Sequence, residues 1–299
     1  MNDTPKMQKL SKISIFLLSI ISCHVIFAQS QYPSPIEEHS RAHERVEKID
    51  HNGLSFEFEN LLPKPIEVYI PNKKFNCDST SLIIHFHGSS YVPKYAVDHS
   101  DRHFILATVN LGHGSSAYEK PFIKNDKFVE LINTISDSLN MIFENIYISS
   151  FSAGYGAVRA ILNNSKYFKI IDGVILLDGL HTDYYPDRLT IADGGKLNID
   201  KLSCFLELAN QAINENKTLI ITHSEIFPGT YASTTETANY LINELGLNRK
   251  SILKWGVIGM QQTSEVSIGN FHVFGFAGNT APDHIDHFHA LYSLIQFLK

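Results

Sequence analysis

A chain of 299 residues that is 43% hydrophobic and 19% charged has enough apolar material for one sizeable core. Its formal net charge of −6 argues against a nucleic-acid partner, because affinity for phosphate needs clustered Lys and Arg side chains. The sequence shows no internal period, which argues against the repeat folds.

The first 28 residues have the pattern of a secretory signal. Lys6, Lys9 and Lys12 precede the apolar run ISIFLLSIISCHVIFA, which ends at Ala28 and is short for a membrane-spanning helix. Cleavage after Ala28 is the favoured route and would give an exported protein, either periplasmic or secreted. The alternative is a lipoprotein, because IISC resembles a bacterial lipobox that ends at Cys23. No later apolar run is long enough to span a membrane.

The remaining chain divides into a polar arm and one domain. Residues 29–50 are polar with two prolines, whereas residues 51–299 show a regular succession of apolar and amphipathic segments. If Cys23 is removed with the signal, Cys77 and Cys204 are the possible disulfide partners, and the sequence leaves open whether they pair.

In chain order, residues 51–299 alternate between strand patterns and helix patterns. Two strands are predicted in GLSFEFENLLPKPIEVYIP, and one in each of SLIIHFHG, HFILATVNLG, NIYISS, GVILLDG, KTLIITHS and NFHVFGFAG. The main helices are predicted at 126–144, 153–163, 198–216, 233–246 and 282–299. This alternation predicts an α/β fold with a mostly parallel sheet of about eight strands, helices on both faces, and an antiparallel first edge.

Ser152 lies in the turn of YISSFSAGYGAVRA, between a β-branched strand and a helix. In open α/β sheets, sites form at the carboxyl ends of the strands. The turn resembles the GxSxG nucleophile elbow of the α/β-hydrolase superfamily, with Ser150 in the place of the first glycine and Gly154 in that of the second. The alternative is that Ser152 only caps the helix.

The resemblance implies an oxyanion hole at two positions. The loop after the third strand, HFHGSS, matches the His-Gly loop of the superfamily, which places the backbone N–H of Gly88 or Ser89 at the developing negative charge. The residue after the nucleophile, Ala153, would supply the second N–H group. The alternative is a simple glycine turn at Gly88.

The resemblance also implies an acid and a general base. Asp178 ends the strand after the elbow helix and is the favoured acid, with Glu225 and Asp183 as alternatives. The base is expected in GNTAPDHIDHFHAL, where His284 is favoured over His287 because it lies nearer to the last strand. Ser, Asp and His then follow the chain order of the superfamily.

Together with the predicted signal, the resemblance implies an exported serine hydrolase that acts on a small-molecule or acylated substrate through an acyl-enzyme. It favours carboxylic esters over amides, because most of the superfamily cleaves esters, and the sequence leaves this choice open. No cofactor and no metal are expected, and the oligomeric state is left open. Besides the catalytic groups, His87, His113 and Tyr231 are the candidates for contacts with the substrate, since they lie in loops at strand ends.

The sequence is also compatible with two rival functions. A metal-dependent hydrolase could use the HxH pair His85 and His87 together with VDHSDRH at 97–103, but Ser89 and Ser90 stand where the metallo-β-lactamase pattern needs Asp and His. A non-catalytic binding protein on the same fold is the second rival, since fold alone does not establish activity.

Overall fold

The computed structural model describes residues 42–73, 80–123 and 126–298. The predicted signal, the lipobox at Cys23, residues 29–41 of the arm and Cys77 lie outside these residues. The chain divides into two compact units, 1–42 and 43–299, and all the strands and helices of the described residues belong to the second. Within that unit, His43 and Arg45 both bond to the carboxylate of Asp286, at 2.6 and 2.9 Å.

The strands of the second unit are β1 (Leu54–Phe58), β2 (Ile66–Ile70), β3 (Ser81–Phe86), β4 (Phe104–Val109), β5 (Asn145–Phe151), β6 (Gly173–Leu177), β7 (Tyr184–Tyr185), β8 (Lys196–Leu197), β9 (Thr218–His223), β10 (Lys250–Trp255), β11 (Gln261–Ile268) and β12 (Phe271–Phe276). Ten of them form one sheet in the order β1-β2-β4-β3-β5-β6-β9-β12-β11-β10, and β7 and β8 form a separate pair. From β4 to β12 neighbouring strands are parallel, and the strands on either side of this centre are antiparallel.

The predicted α/β class, the mostly parallel sheet and the antiparallel first edge are confirmed. The predicted number of strands is too low, because β10 and β11 were not recognised. Most residues of β10 are exposed, and β11 is rich in polar side chains, so neither strand has the apolar run that identifies a buried strand.

Helices cover both faces of the sheet, as predicted. They are α1 (Tyr91–Asp98), α2 (Ser115–Ile123), α3 (Lys127–Leu139), α4 (Tyr155–Leu162), α5 (Ser165–Ile170), α6 (Ser203–Ile213), α7 (Thr234–Glu244), α8 (Ala281–His289) and α9 (Leu291–Leu294). Consecutive residues of β3 enter two different cores: Leu82 and Ile84 join the core under α3 and α6, and Ile83 joins the core under α1 and α8. Among the described residues, no helix has the length and hydropathy needed to cross a membrane.

The parallel centre brings the ends of several strands to one edge of the sheet. Because β3, β5, β6 and β9 run in the same direction as neighbours, the residues that follow them leave the sheet together. All residues of β6 and β9 are buried, so these strands form a rigid base for the loops that follow. This edge therefore carries the candidate catalytic residues except His284 and its alternative His287, which both lie on α8.

Candidate active site

Ser152 has a left-handed backbone conformation that residues other than glycine rarely adopt. Its φ is +46°, directly after β5, and a single 3₁₀ turn over Ser152–Gly154 leads into α4. The N-cap position of α4 is occupied by Gly154, two residues after Ser152, so Ser152 is not the cap of this helix. A left-handed non-glycine residue costs about 1–3 kcal/mol and persists only where the surroundings enforce it.

Small residues around the turn allow the strand and the helix to approach closely. A Cβ atom at Gly154 would lie 2.3 Å from the carbonyl oxygen of Phe86, and one at Gly156 would lie 2.2 Å from that of Ser115. Ser150, which replaces the first glycine of the motif, is fully buried, and its hydroxyl has no hydrogen-bond partner among the described residues. The serine therefore fits in the space that the motif leaves for glycine, without a polar partner of its own.

Asp178 ends the neighbouring strand and is held by three hydrogen bonds. One carboxylate oxygen accepts from the backbone N–H of Ser224 at 3.0 Å, and the other accepts from the Ser224 hydroxyl and from His284 Nδ1, both at 2.7 Å. Its φ is +42°, and a Cβ atom on the next residue, Gly179, would lie 2.6 Å from both the backbone N and O of Ser152. The residue that follows Asp178 thus packs directly against the backbone of the serine turn.

The electrostatic surroundings of Asp178 keep its carboxylate ionised. Burial by itself would raise the pKa of Asp178, but the imidazole of His287 and the hydrogen bonds from His284 and Ser224 outweigh it and hold the pKa below its usual range. An ionised carboxylate at His284 Nδ1 orients the ring and places the hydrogen of a neutral ring on Nδ1.

The loop between β12 and α8 positions His284. The chain turns at Gly278, whose φ is +125°, and α8 then begins with a capping box in which Thr280 and Asp283 bond to each other's side chain and backbone. The ring of His284 packs on Phe151 with centroids 4.6 Å apart. Since Asp178 takes Nδ1, the free nitrogen of this ring is Nε2, on the side away from the carboxylate.

The alternative residues of the triad have other partners. His287 is buried and its Nδ1 lies 2.8 Å from Thr222 Oγ1. Glu225 is exposed, and Asp183 forms an exposed ion pair with Lys201. None of the three is among the residues that line the cleft around Ser152.

The predicted oxyanion loop also leaves β3 through left-handed residues. His87 has a φ of +75° and Gly88 one of +119°. A Cβ atom at Gly88 would lie 2.5 Å from the ring of Phe288, so both the conformation and the space require glycine. The assignment of the Gly88, Ser89 and Ala153 N–H groups to an oxyanion hole stays a prediction.

The HxH pair is engaged with the protein itself. His85 is buried, with Nδ1 2.7 Å from the Ser149 hydroxyl and Nε2 2.8 Å from the carbonyl oxygen of His87. Burial lowers the pKa of His85 to about 4, which agrees with a neutral ring that donates from Nε2 and accepts at Nδ1. His87 bonds through Nδ1 to the hydroxyl of Tyr118, at 2.7 Å. A metal ion on the His85 ring would have to displace one of its two bonds.

One group of side chains has the composition of a metal site. The ligand atoms of His43, Asp283 and Asp286 lie within 4.8 Å of one another. Arg45 pairs with Asp286, and Asp283 caps α8 through Thr280. These carboxylates are therefore already neutralised or hydrogen-bonded by the protein.

A cleft of about 280 Å³ contains Ser152, Asp178 and His284 together. The rest of its lining is His181, Ile226, Pro228, Tyr231, Thr234, Asn279 and Ala281. Of the residues predicted to contact substrate, only Tyr231 lines it, while His87 is bonded to Tyr118 and His113 is exposed.

Sequence reasoning missed His181 and Ser224. Ser224 directly precedes the acid candidate Glu225, and His181 stands three residues after Asp178. Both residues lie just beyond the end of a predicted strand, and this position was the signal that could have identified them. At these two strand ends, only carboxylates are assigned a role from the sequence.

Comparison with known proteins gives a fold but no close relative. No family model and no curated protein matches the chain. Among solved structures, it is similar to FAE (13% identity, 87% of this chain and 94% of the other covered, TM-score 0.50). It is also similar to an arylesterase (13% identity, 96% and 97% covered, TM-score 0.48) and to carboxyl esterase 2 of the fungus Tuber melanosporum (12% identity, 93% and 98% covered, TM-score 0.48). The chain has an α/β-hydrolase-like fold, as the resemblance of its motifs predicted.

Proposed function

We propose that the protein is a serine hydrolase that cleaves carboxylic esters through an acyl-enzyme, with Ser152, His284 and Asp178 as its triad. The observation that carries this proposal is the 2.7 Å bond from His284 Nδ1 to the buried Asp178 carboxylate, in a cleft that also contains the strained Ser152.

In the proposed reaction, Ser152 Oγ attacks the ester carbonyl carbon while its proton passes to His284 Nε2. Backbone N–H groups of Ala153 and of Gly88 or Ser89 hold the negative oxygen of the tetrahedral intermediate. The bond from carbon to the alcohol oxygen then breaks, and the alcohol leaves with the proton from His284. Water, deprotonated by His284, attacks the acyl-enzyme in the same way and releases the carboxylic acid and free Ser152.

A fluorophosphonate probe tests this mechanism. Peptide mapping should place the label on Ser152, and the wild type should hydrolyse p-nitrophenyl esters of short acids with or without a chelator. Ser152→Ala should lose label and turnover, whereas Ser116→Ala, an exposed serine on α2, should keep both. Loss of turnover on chelation that zinc restores would favour the metal-dependent rival. Labelling of Ser152 without turnover of any ester would favour the binding protein.

We also propose that the protein is exported, on the basis of the lysines and the apolar run that precede Ala28. Mass spectrometry of the mature protein should find Gln29, or a residue close to it, at the N-terminus. A lipid on Cys23 would support the lipoprotein route instead, and an intact Met1 in the native host would contradict export.

A further inference from the structure

A histidine that the proposed reaction does not use lies in the same cleft as Ser152. His181 follows β6 by four residues and lines the cleft beside Ser152 and His284. The chain that carries it runs along the serine turn, since a Cβ atom at Gly179 would lie 2.6 Å from the backbone of Ser152. A group bound by His181 would therefore lie close to the reacting carbon.

One nitrogen of the His181 ring is fixed by the protein. Its Nδ1 lies 2.9 Å from the carbonyl oxygen of Ala232, and because a carbonyl oxygen can only accept, Nδ1 carries the hydrogen. In a neutral ring, Nε2 is then a lone-pair acceptor. Among the described residues, none hydrogen-bonds Nε2. Burial lowers the pKa of His181, which favours that neutral form.

The backbone on both sides of His181 is held in place. Before it, the Leu180 N–H donates to Thr234 Oγ1 at 3.3 Å, and the Leu180 carbonyl accepts from Thr237 Oγ1 at 2.7 Å. After it, the Thr182 carbonyl accepts from the Ala232 N–H at 2.8 Å. The ring itself stands between Tyr155 and Tyr231, with edge-to-face contacts at centroid distances of 5.3 and 5.0 Å. His181 is thus preorganised, as a recognition group must be.

The rest of the cleft offers no charge to an ionic group. Among the described residues, the one carboxylate in its lining is Asp178, which is already bonded to His284 and Ser224. No Lys or Arg of residues 42–73, 80–123 and 126–298 lines the cleft, so this part of the chain offers no cation to hold a carboxylate or phosphate of the substrate. The walls from Ile226, Pro228 and Ala281 are apolar.

We propose that His181 selects neutral esters that carry a hydroxyl group near the ester bond, by accepting the hydrogen of that hydroxyl at Nε2. This inference rests on the proposed esterase function and narrows its substrate class. His181 is half-buried, and a bound ester would shield its Nε2 from water. A substrate that then leaves this acceptor unpaired is penalised, so the hydroxylated ester of a matched pair should be preferred about tenfold or more.

Matched esters test the proposal on both sides of the bond. Ethyl 3-hydroxybutyrate against ethyl butyrate places the hydroxyl on the acyl side, and hydroxypropyl butyrate against propyl butyrate places it on the alcohol side. For each pair the measured quantity is the ratio of the two kcat/KM values. The inference is supported if the wild type prefers the hydroxylated ester of either pair and His181→Phe lowers that kcat/KM ratio about tenfold. His181→Gln keeps a hydrogen-bond acceptor at a similar reach and should restore most of the ratio.

Two controls make the outcome decisive. His99→Phe changes an exposed histidine outside the cleft and should leave both ratios as in the wild type. The selection of hydroxylated esters by His181 would be overturned if a folded His181→Phe variant, labelled by the fluorophosphonate, gave the same kcat/KM ratios as the wild type. That outcome would leave the esterase proposal standing. A wild type that hydrolyses none of the four esters and no p-nitrophenyl ester would overturn both.

Discussion

The parallel centre and the antiparallel flank of the sheet use their residues in different ways. At the centre, β5 and β6 are followed by two strained polar residues, Ser152 with φ +46° and Asp178 with φ +42°. At the flank, β10 is largely exposed, and the pairing of β11 with its neighbours is interrupted by two shifts of register. The flank also has a left-handed residue, Ile258, but it lies in the turn between β10 and β11 and lines no part of the cleft.

The difference shows what a strained site requires. Strain of about 1–3 kcal/mol per residue is kept only where neighbouring atoms leave no alternative. Gly154 and Gly179 supply that constraint at the centre, because neither has room for one additional carbon. Changes at the centre should therefore affect catalysis and stability together, whereas changes at the flank should affect neither strongly.

The largest effect is expected from the base. His284→Ala should reduce kcat/KM on p-nitrophenyl esters by about 10³-fold or more, because the proposed proton acceptor of Ser152 is lost. His287→Ala is the matched control on the same helix, and should cost less than about tenfold if it serves packing and the bond to Thr222. Steady-state rates on variants shown to be folded measure both. A severe loss in His287→Ala beside near-normal rates in His284→Ala would reverse the assignment.

A smaller but still large effect is expected from the acid. Asp178→Asn should lower kcat/KM by about 10²-fold or more, because the imidazolium of His284 loses its counter-charge while the oxyanion donors remain. Glu225→Gln changes an exposed residue outside the cleft and should leave the rate within about twofold. If Glu225→Gln proves severe and Asp178→Asn mild, the acid lies after β9 instead.

The sequence predicted the centre well because its physical signals are local. Continuous apolar strands mark burial on both faces, and the small residues of SFSAGYG mark the tight turn at Ser152. The expected partners Asp178 and His284 do meet, at 2.7 Å, although 106 residues separate them in the chain. Their meeting follows from topology, since both lie at the same edge of a parallel sheet.

The parts that sequence reasoning missed depend on tertiary contacts. Ser224 holds Asp178 only because β6 and β9 are neighbours, which no local pattern reveals. His87 looked like a cleft residue, yet its left-handed conformation places its ring against Tyr118. The flank strand β10 was missed because five of its six residues are exposed, so it has no buried face and no apolar alternation.

The tight packing behind Ser152 gives the next prediction. Gly179→Ala places a carbon 2.6 Å from the Ser152 backbone, so the turn must shift, and we expect the free energy of unfolding to fall by about 1–3 kcal/mol together with a loss of turnover. Gly256→Ala is the matched change at the flank, where the nearest atom would be a ring carbon of Phe276 at 3.2 Å. Its cost should be smaller and its turnover normal. Denaturant unfolding and ester hydrolysis measure the two effects. Equal losses of unfolding free energy and of turnover in the two variants would contradict the prediction.

Asp178 also predicts a dependence of stability on pH. Its pKa in the folded protein lies below the value of about 3.9 in an unfolded chain, so the ionised carboxylate stabilises the fold above that pH, and this contribution is lost as the pH falls further. The difference in unfolding free energy between wild type and Asp178→Asn should therefore be largest near neutral pH and should narrow below about pH 4. Urea unfolding across this range measures it, and a difference that widens on acidification would contradict the prediction.

The smallest effect is expected at the exposed edge. Leu253 in β10 has 76% of its surface exposed, so Leu253→Ala should change the free energy of unfolding by less than about 0.5 kcal/mol. The same change at Leu176, which is fully buried in β6, removes core contacts and should cost about 2–5 kcal/mol. Both values come from denaturant curves measured at a low and a high protein concentration. If Leu253→Ala instead cost more than about 1 kcal/mol, and the cost rose with protein concentration, β10 would have to be covered in solution by a second copy of the chain, because only a bound partner can give an exposed leucine the contacts of a core residue.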